Sequence, residues 1–128
     1  MTKGSTILLV DDDLTLREMY EERLKQEGYL VIGVANGVEA LKKADEAKPD
    51  LIILDIMMPK LNGIDVMGKL RNEEKTKEIP IIILTALVQE IDKLKGLMGP
   101  KDSYLIKSKE MPKDVIEKVE KALGKKSD

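Results

Sequence analysis

The chain has 128 residues, 22 of them basic and 24 acidic, and its net charge of −2 argues against nucleic-acid or membrane-surface binding that rests on bulk charge. It contains no cysteine, which excludes disulfides, thiolate metal sites and cysteine nucleophiles. It contains no histidine either, so a Ser-His-Asp triad, a histidine-bound zinc and a histidine general base are excluded, and carboxylates, hydroxyls, lysines and a hard metal ion remain.

Short apolar runs recur along the chain and predict five strands. In chain order they occupy residues 7–10, 30–34, 52–54, 81–84 and 104–106. The runs are rich in β-branched residues and are bounded by polar or turn residues. Such runs are typical of strands that are buried on both faces of a parallel sheet.

Between these runs, apolar residues recur at helical spacing and predict five helices. In chain order the stripes are Leu16, Met19, Tyr20 and Leu24; Ala40, Leu41, Ala44 and Ala47; Ile64, Met67 and Leu70; Ile91, Leu94 and Met98; and Val115, Val119, Ala122 and Leu123. The first, second and last are expected to stop at Gly28, before Pro49 and at Gly124, and Asn62-Gly63 starts the third.

Strands that alternate with helices predict a doubly wound α/β fold. Helices between parallel strands cross right-handed and cover both faces of the sheet, so we expect a five-fold βα repeat. Residues 1–128 are expected to form a single domain, with a core from about residue 5 to 123 and a solvated tail at 124–128.

Polar residues follow four of the predicted strands, at the carboxyl edge where parallel sheets bind ligands. They are Asp11-Asp12-Asp13, Asp55, Thr85 and Lys107. Gathered carboxylates repel one another unless a cation joins them, and ligand sets made only of oxygen select Mg²⁺, Ca²⁺ or Mn²⁺. A hydroxyl and an ammonium can bind phosphoryl oxygens, and a carboxylate can attack phosphorus to give an aspartyl phosphate. The sequence therefore predicts a metal-assisted phosphoryl site.

Five motifs carry a family resemblance: ILLVDDD at 7–13, LDIMMP at 54–59, NG at 62–63, LTA at 84–86 and YLIK at 104–107. Together they resemble the response-regulator receiver domain of two-component signalling, including its chemotaxis regulators. The resemblance implies the strand order 2-1-3-4-5 and a Mg²⁺ ion for which Mn²⁺ can substitute. It also implies a cytoplasmic protein that takes a phosphoryl group from a phosphohistidine of a sensor histidine kinase or phosphotransfer protein.

The resemblance assigns roles at the metal site residue by residue. Asp55 is expected to be the phospho-acceptor and, with Asp12, a direct ligand of Mg²⁺. Asp11 is expected to act mainly through a bound water, and the backbone carbonyl of Met57 is a further ligand. Asp13 has no role in the family, so we expect it to cap the first helix.

A second set of roles concerns the phosphoryl group and the signal. The resemblance implies that Thr85, Ala86 and Lys107 bind the phosphoryl group. Thr85 and Tyr104 resemble the switch pair of the family, which changes the surface around the fourth helix and fifth strand. Residues 57 and 87 flank the site, and Met57 and Leu87 cannot hydrogen-bond an attacking water, so we hypothesise slow self-dephosphorylation.

The last loops depart from the family pattern. Ser108 follows Lys107, where relatives usually have a proline after a cis peptide bond. A cis bond before a non-proline residue costs about 3 kcal/mol, so we predict a trans Lys107–Ser108 bond. Residues 99–102 also replace the small-residue turn that is common before the fifth strand.

Two alternatives come from other functional classes. One is a receiver-fold binding module that works without phosphorylation. The other is a haloacid-dehalogenase-like phosphatase with Asp11 as nucleophile, because residues 11–15 fit its Asp-x-Asp-x-Thr pattern. The later acidic pair and the cap of that enzyme find no match in the sequence.

The remaining expectations concern activity and partners. We expect no enzymatic activity beyond the protein's own phosphorylation and dephosphorylation. We expect a downstream protein target, no direct nucleic-acid binding and no membrane association. A stand-alone regulator and a part of a longer one are both compatible with the sequence.

Overall fold

The structure, a computed structural model, describes residues 4–56, 63–85, 95–99, 102–106 and 112–123. Its strands are β1 (Thr6–Val10), β2 (Leu30–Val34), β3 (Leu51–Asp55), β4 (Ile81–Thr85) and β5 (Ser103–Ile106). Its helices are α1 (Leu14–Gln26), α2 (Gly37–Ala47), α3 (Gly63–Asn72) and the C-terminal helix (Pro112–Ala122), with a 3₁₀ turn at Lys95–Leu97.

The five strands form one parallel sheet in the order β2-β1-β3-β4-β5, which confirms the order that the resemblance implied. Val10 of β1 lies opposite Val34 of β2 on one side and Leu54 of β3 on the other. At the far end of the sheet, Thr85 lies opposite Ile106. Because all the pairings are parallel, the carboxyl ends of the strands meet at one edge, which we call the carboxyl edge.

Helices bury both faces of the sheet, as the continuous apolar runs predicted. Leu8 and Val10 point into a core shared with α2 and α3, and Ile7 and Leu9 into a core shared with α1 and the C-terminal helix. Every residue of β3 and β4 is buried. Each large aliphatic side chain so buried contributes roughly 2 kcal/mol to the stability of the fold. The central strands therefore fix the positions of the residues that end and follow them.

Helix α1 confirms one prediction and corrects another. Asp13 accepts a hydrogen bond from the Leu16 amide at 3.1 Å and caps the helix, as expected. Met19 does not belong to the buried stripe, because its side chain is 42% exposed whereas Tyr20 and Leu24 are buried. Successive helical residues differ by about 100° in direction, so a helix that turns Tyr20 inward carries Met19 to its flank.

The second, third and fifth predicted helices are confirmed as α2, α3 and the C-terminal helix, whereas the described part of the fourth is a 3₁₀ turn at Lys95–Leu97. Ala47 lies at the end of α2 but is exposed, so the second stripe buries fewer residues than predicted. Ile91 and Leu94 of the fourth stripe lie outside the described residues, and so does the tail at 124–128. Met98 is described, and it packs partly buried against the α2–α3 side of the core. Within the described ranges, no helix is long and apolar enough to cross a membrane.

The opposite edge of the sheet, which we call the amino edge, carries a buried ion pair. The Asp102 carboxylate accepts hydrogen bonds from the amides of Ile81 and Gly99, both at 2.7 Å. It also pairs with Arg71, whose guanidinium donates to the carbonyls of Lys77 and Ile79 at 3.0 and 2.9 Å. Asp102, the last residue of the altered stretch before β5, therefore has a structural role, since its side chain joins β5 to the start of β4 and the end of α3.

Candidate functional site

Three carboxylates meet at the carboxyl edge, as the sequence predicted. β1 and β3 are neighbours, so the residues that follow β1 lie beside Asp55, the last residue of β3. One carboxylate oxygen each from Asp11, Asp12 and Asp55 lies within 4.8 Å of the others. Asp11 and Asp55 are buried and Asp12 is exposed, so the pocket has a buried floor and one open side.

The chemistry of this donor set fits a hard divalent cation. Three negative charges this close repel one another, and a cation between them removes that repulsion. All the ligand atoms are oxygens, which suits Mg²⁺, Mn²⁺ or Ca²⁺ and not the softer metals. Asp11, Asp12 and Asp55 are therefore residues that can hold a metal ion.

Asp11 is held by hydrogen bonds at three places. Its amide donates to the Val34 carbonyl of β2 at 3.1 Å, and its carbonyl accepts from the Arg17 guanidinium at 2.7 Å. Its carboxylate oxygen Oδ1 accepts from the Asp13 amide at 3.0 Å. The role of Arg17 was not predicted. A basic residue in the first turns of the helix after an acidic loop is a weak signal that could have suggested it.

The end of β3 lies against the start of α3, and glycine is required there. The Gly63 amide donates to the Ile56 carbonyl at 2.9 Å. A Cβ atom at position 63 would lie 2.5 Å from the Ile56 Cα and 2.8 Å from the Asp55 carbonyl oxygen. No real Cβ atom fits at such distances, so Gly63 allows α3 to begin directly beside Asp55. Gly63 was predicted as part of the helix start and is its first residue.

The two proposed switch residues lie in different surroundings. Asp55 pairs with Leu84 of β4, so Thr85 lies one residue further along the neighbouring strand, at the carboxyl edge. Thr85 is fully buried. Tyr104 lies opposite Ile83, two residues before the end of β5, and is 42% exposed.

The remaining site predictions fall on residues outside the described ranges. They are Met57, Ala86, Leu87, Lys107 and the Lys107–Ser108 peptide bond. Their assigned roles stay predictions.

Curated relatives and solved structures are similar to this chain over most of its length. The transcriptional regulatory protein PhoP of alkaline phosphatase synthesis from Bacillus subtilis is 46% identical over 101 residues, which are 79% of this chain and 41% of that protein. The DNA-binding response regulator MtrA of Mycobacterium tuberculosis is 37% identical over 127 residues, which are 99% of this chain and 54% of that protein. The crystal structure of the response regulator TrrA from Thermotoga maritima in complex with Mg²⁺-BeF has a TM-score of 0.80 and 39% identity, covering 92% of this chain and 98% of that one.

These relatives overturn the prediction that the protein has no direct nucleic-acid binding. MtrA is named a DNA-binding response regulator, and the chain spans only about half of its length and about two fifths of PhoP. The prediction rested on a net charge of −2 and on the absence of a recognisable DNA-binding segment within 128 residues. Both observations describe the matched region alone, and the charge of one region does not decide what a longer regulator binds.

The family itself follows from the whole sequence and not from the acidic pocket alone. The family model of the response regulator receiver domain matches residues 7–120, which include the three acids and all five strands except Thr6, the first residue of β1. Receivers are not classical enzymes, so this match does not favour the phosphatase alternative. The chain belongs to the response regulator receiver domains of two-component signalling, and its pocket of three carboxylates is typical of their Mg²⁺-dependent phosphorylation.

Proposed function

We propose that the chain accepts a phosphoryl group on Asp55 from a phosphohistidine of a sensor histidine kinase or phosphotransfer protein. The observation that carries this proposal is the group of carboxylate oxygens from Asp11, Asp12 and Asp55, all within 4.8 Å of one another. Asp55 is the residue of the three that ends the central strand β3, so its backbone belongs to the sheet. A solved neighbour with the same fold, TrrA, is in complex with Mg²⁺-BeF.

The chemistry proposed for Asp55 is a direct transfer. A carboxylate oxygen attacks phosphorus, the new O–P bond forms as the N–P bond to the donor imidazole breaks, and the electron pair leaves with the donor nitrogen. Asp11, Asp12, Asp55 and the Met57 carbonyl would hold Mg²⁺, and Mn²⁺ can substitute. The bound ion would neutralise the charge of the carboxylates and the phosphoryl oxygens. Burial of Asp55 keeps bulk water from one side of the reacting oxygen.

We propose that phosphorylation is read through Thr85 and Tyr104. Thr85, Ala86 and Lys107 would bind the phosphoryl oxygens, and the position of Thr85 as the last residue of β4 supports this proposal. The exposed ring of Tyr104 would then move inward and change the surface around the predicted fourth helix and β5. A downstream partner would bind that surface. Because relatives are named transcriptional regulators, we propose that the output is control of transcription in the cytoplasm.

We also propose that the chain catalyses only its own phosphorylation and dephosphorylation, and that dephosphorylation is slow. The apolar side chains of Met57 and Leu87 cannot orient an attacking water by hydrogen bonding. Met57→Asn is therefore expected to shorten the lifetime of the aspartyl phosphate.

Intact-mass measurement after incubation with Mg²⁺ and a small acyl-phosphate donor tests the proposal. We expect the wild type to gain one phosphoryl mass. Asp55→Asn and the metal-free wild type are expected to gain none. Asp45→Asn is the matched control, because Asp45 is an exposed acid of α2 that pairs only with Lys75 among the described residues, and it should behave as wild type.

Two other outcomes would contradict the proposal. Absence of any mass gain in a folded wild type that binds Mg²⁺ would indicate the phosphorylation-independent binding module. Steady turnover of a generic phosphatase substrate, lost in Asp11→Asn, would indicate the phosphatase instead.

A further inference from the structure

Arg17 lies beneath the loop that carries two of the three acids. Its guanidinium Nη1 donates to the Asp11 carbonyl at 2.7 Å, and its side chain is only 16% exposed. That carbonyl belongs to the peptide group between Asp11 and Asp12. Because a peptide group is planar, a hydrogen bond that fixes its carbonyl also fixes the positions of the Asp12 nitrogen and Cα atoms. Arg17 is therefore placed to control the orientation of Asp12.

Glu21, an acid one turn further along α1, lies beside Arg17. The Arg17 Nε atom lies 4.0 Å from Glu21 Oε1, and Lys25 Nζ lies 3.9 Å from Glu21 Oε2. Each pair is separated by four residues, the spacing at which side chains meet on one face of a helix. A charged row, Lys25–Glu21–Arg17, thus runs along α1 and ends at the Asp11 carbonyl.

Gly33 of the edge strand β2 leaves the space for this row. A Cβ atom at position 33 would lie 1.7 Å from Glu21 Oε1 and 3.3 Å from the Arg17 Cδ. Gly33 does not have a positive φ, so its backbone does not require glycine and space is the remaining reason. Glycine weakens a strand interior, and it commonly marks a position where another group approaches closely.

Asp11 is consequently held from two elements. Val34, the neighbour of Gly33, accepts the Asp11 amide at 3.1 Å, and Arg17 of α1 donates to the Asp11 carbonyl. The acids on this loop repel Asp55, and that repulsion would turn an unsupported loop outward when no cation is bound.

We propose that Arg17, supported by Glu21 and by the space at Gly33, is a positioning residue that preorganises Asp11 and Asp12 for the metal ion. The inference rests on the proposed function, since it concerns the same metal site. The change in Mg²⁺ affinity on removal of Arg17 distinguishes two roles for this residue. If Arg17 acted only through its positive charge, its removal would strengthen the binding of a cation. If it positions the loop, its removal weakens that binding.

The test is a direct titration of Mg²⁺ by calorimetry, without any phosphoryl donor, on folded variants of matched thermal stability. We expect Arg17→Gln to bind Mg²⁺ about tenfold more weakly than wild type, which is the lower end of the effect of residues that orient metal ligands. Arg17→Lys, which keeps a donor, should recover part of the affinity. Arg23→Gln is the matched control, because Arg23 lies on the same helix in an exposed pair with Glu27, and it should bind as wild type.

A second pair of variants tests the space at Gly33 without changing any charge. Gly33→Ala is expected to displace Glu21 and Arg17 and to weaken Mg²⁺ binding several-fold. Gly68→Ala is the control, because a Cβ atom there would meet nothing within 4 Å. In metal-free protein, the amide NMR signals of Asp12 and Asp13 should shift in Arg17→Gln and Gly33→Ala and remain in place in the two controls.

The outcomes separate this inference from the proposed function. Equal or tighter Mg²⁺ binding by Arg17→Gln, with normal binding by the wild type, would overturn the positioning role and leave the phospho-acceptor proposal intact. A different result would overturn the proposed function and leave the positioning role intact. In that case the wild type binds Mg²⁺ normally and Arg17→Gln binds it more weakly, but Asp55 of the wild type is not phosphorylated. A wild type that binds no Mg²⁺ would overturn both.

Discussion

The two edges of the sheet use the same residue type for opposite purposes. At the amino edge, the Asp50 carboxylate accepts the Thr6 amide at 2.8 Å and the Asp102 carboxylate accepts the Ile81 amide at 2.7 Å. At the carboxyl edge, three aspartates face one another within 4.8 Å. The difference follows from the direction of the strands. The first N–H group of a strand can extend beyond the ladder and donate to a carboxylate, whereas the last carbonyl of a strand cannot donate to one.

The amino-edge aspartates Asp50 and Asp102 each bind a backbone amide at the start of a strand, whereas three carboxylates at the carboxyl edge lie close enough together to hold an exchangeable cation. Asp102 is the strongest case of the first kind, because its side chain is 1% exposed and Arg71 neutralises its charge permanently. Asp12 is the clearest case of the second kind, because it is exposed to solvent beside two buried acids. The same residue type binds strand amides at one edge and forms a candidate metal site at the other.

The largest expected effect is the loss of the buried pair at the amino edge. Asp102→Ala leaves the Arg71 guanidinium and the Ile81 and Gly99 amides without their acceptor, and breaking a buried pair costs about 3 kcal/mol of unfolding free energy. The melting temperature should fall by on the order of 10 °C. The melting temperature of Asp102→Asn, which keeps one acceptor oxygen, should fall less. If the two edges are independent, the folded variants should bind Mg²⁺ as tightly as wild type, and a large loss of affinity would contradict the comparison.

A smaller effect of opposite sign is expected at the carboxyl edge. Asp12→Asn removes one of three repelling charges, so in the absence of divalent cations it should stabilise the protein by about 1 kcal/mol. Urea denaturation in a chelating buffer measures this gain, which should shrink as salt screens the charges. The same variant should lose most of the stabilisation that Mg²⁺ confers on the wild type. A metal-free variant less stable than wild type would mean that Asp12 has a structural role.

The smallest effect is expected at the exposed end of the amino edge. Asp50→Ala removes one hydrogen bond to the Thr6 amide at a position open to water, so the cost should be about 0.5 kcal/mol. In chemical denaturation, the double variant Asp50→Ala/Asp102→Ala should lose unfolding free energy equal to the sum of the two single losses, because the two hydrogen bonds lie at different strands. If Asp50→Ala lowered the unfolding free energy as much as Asp102→Ala, burial would not explain the difference between the two aspartates.

The carboxyl edge was largely predictable from the sequence. The strands are so apolar that the acids which end them are conspicuous, and parallel pairing brings Asp11, Asp12 and Asp55 to one edge. The strand order was not worked out from spacing, since it came from the family resemblance. Met19 was misplaced because a stripe of apolar residues does not specify which of two adjacent positions faces the sheet.

The sequence by itself determined the alternation of strands and helices, the acids at the carboxyl edge and the cap of α1, because each depends on residues close together in the chain. Only the tertiary structure decided that Arg17 reaches back to Asp11, that Gly33 leaves space for Glu21, and that Asp102 joins Arg71. Arg71 and Asp102 are 31 residues apart, and Gly33 meets a helix that ended before β2 began. Such contacts depend on which elements become neighbours, and that is decided when the two faces of the sheet are buried.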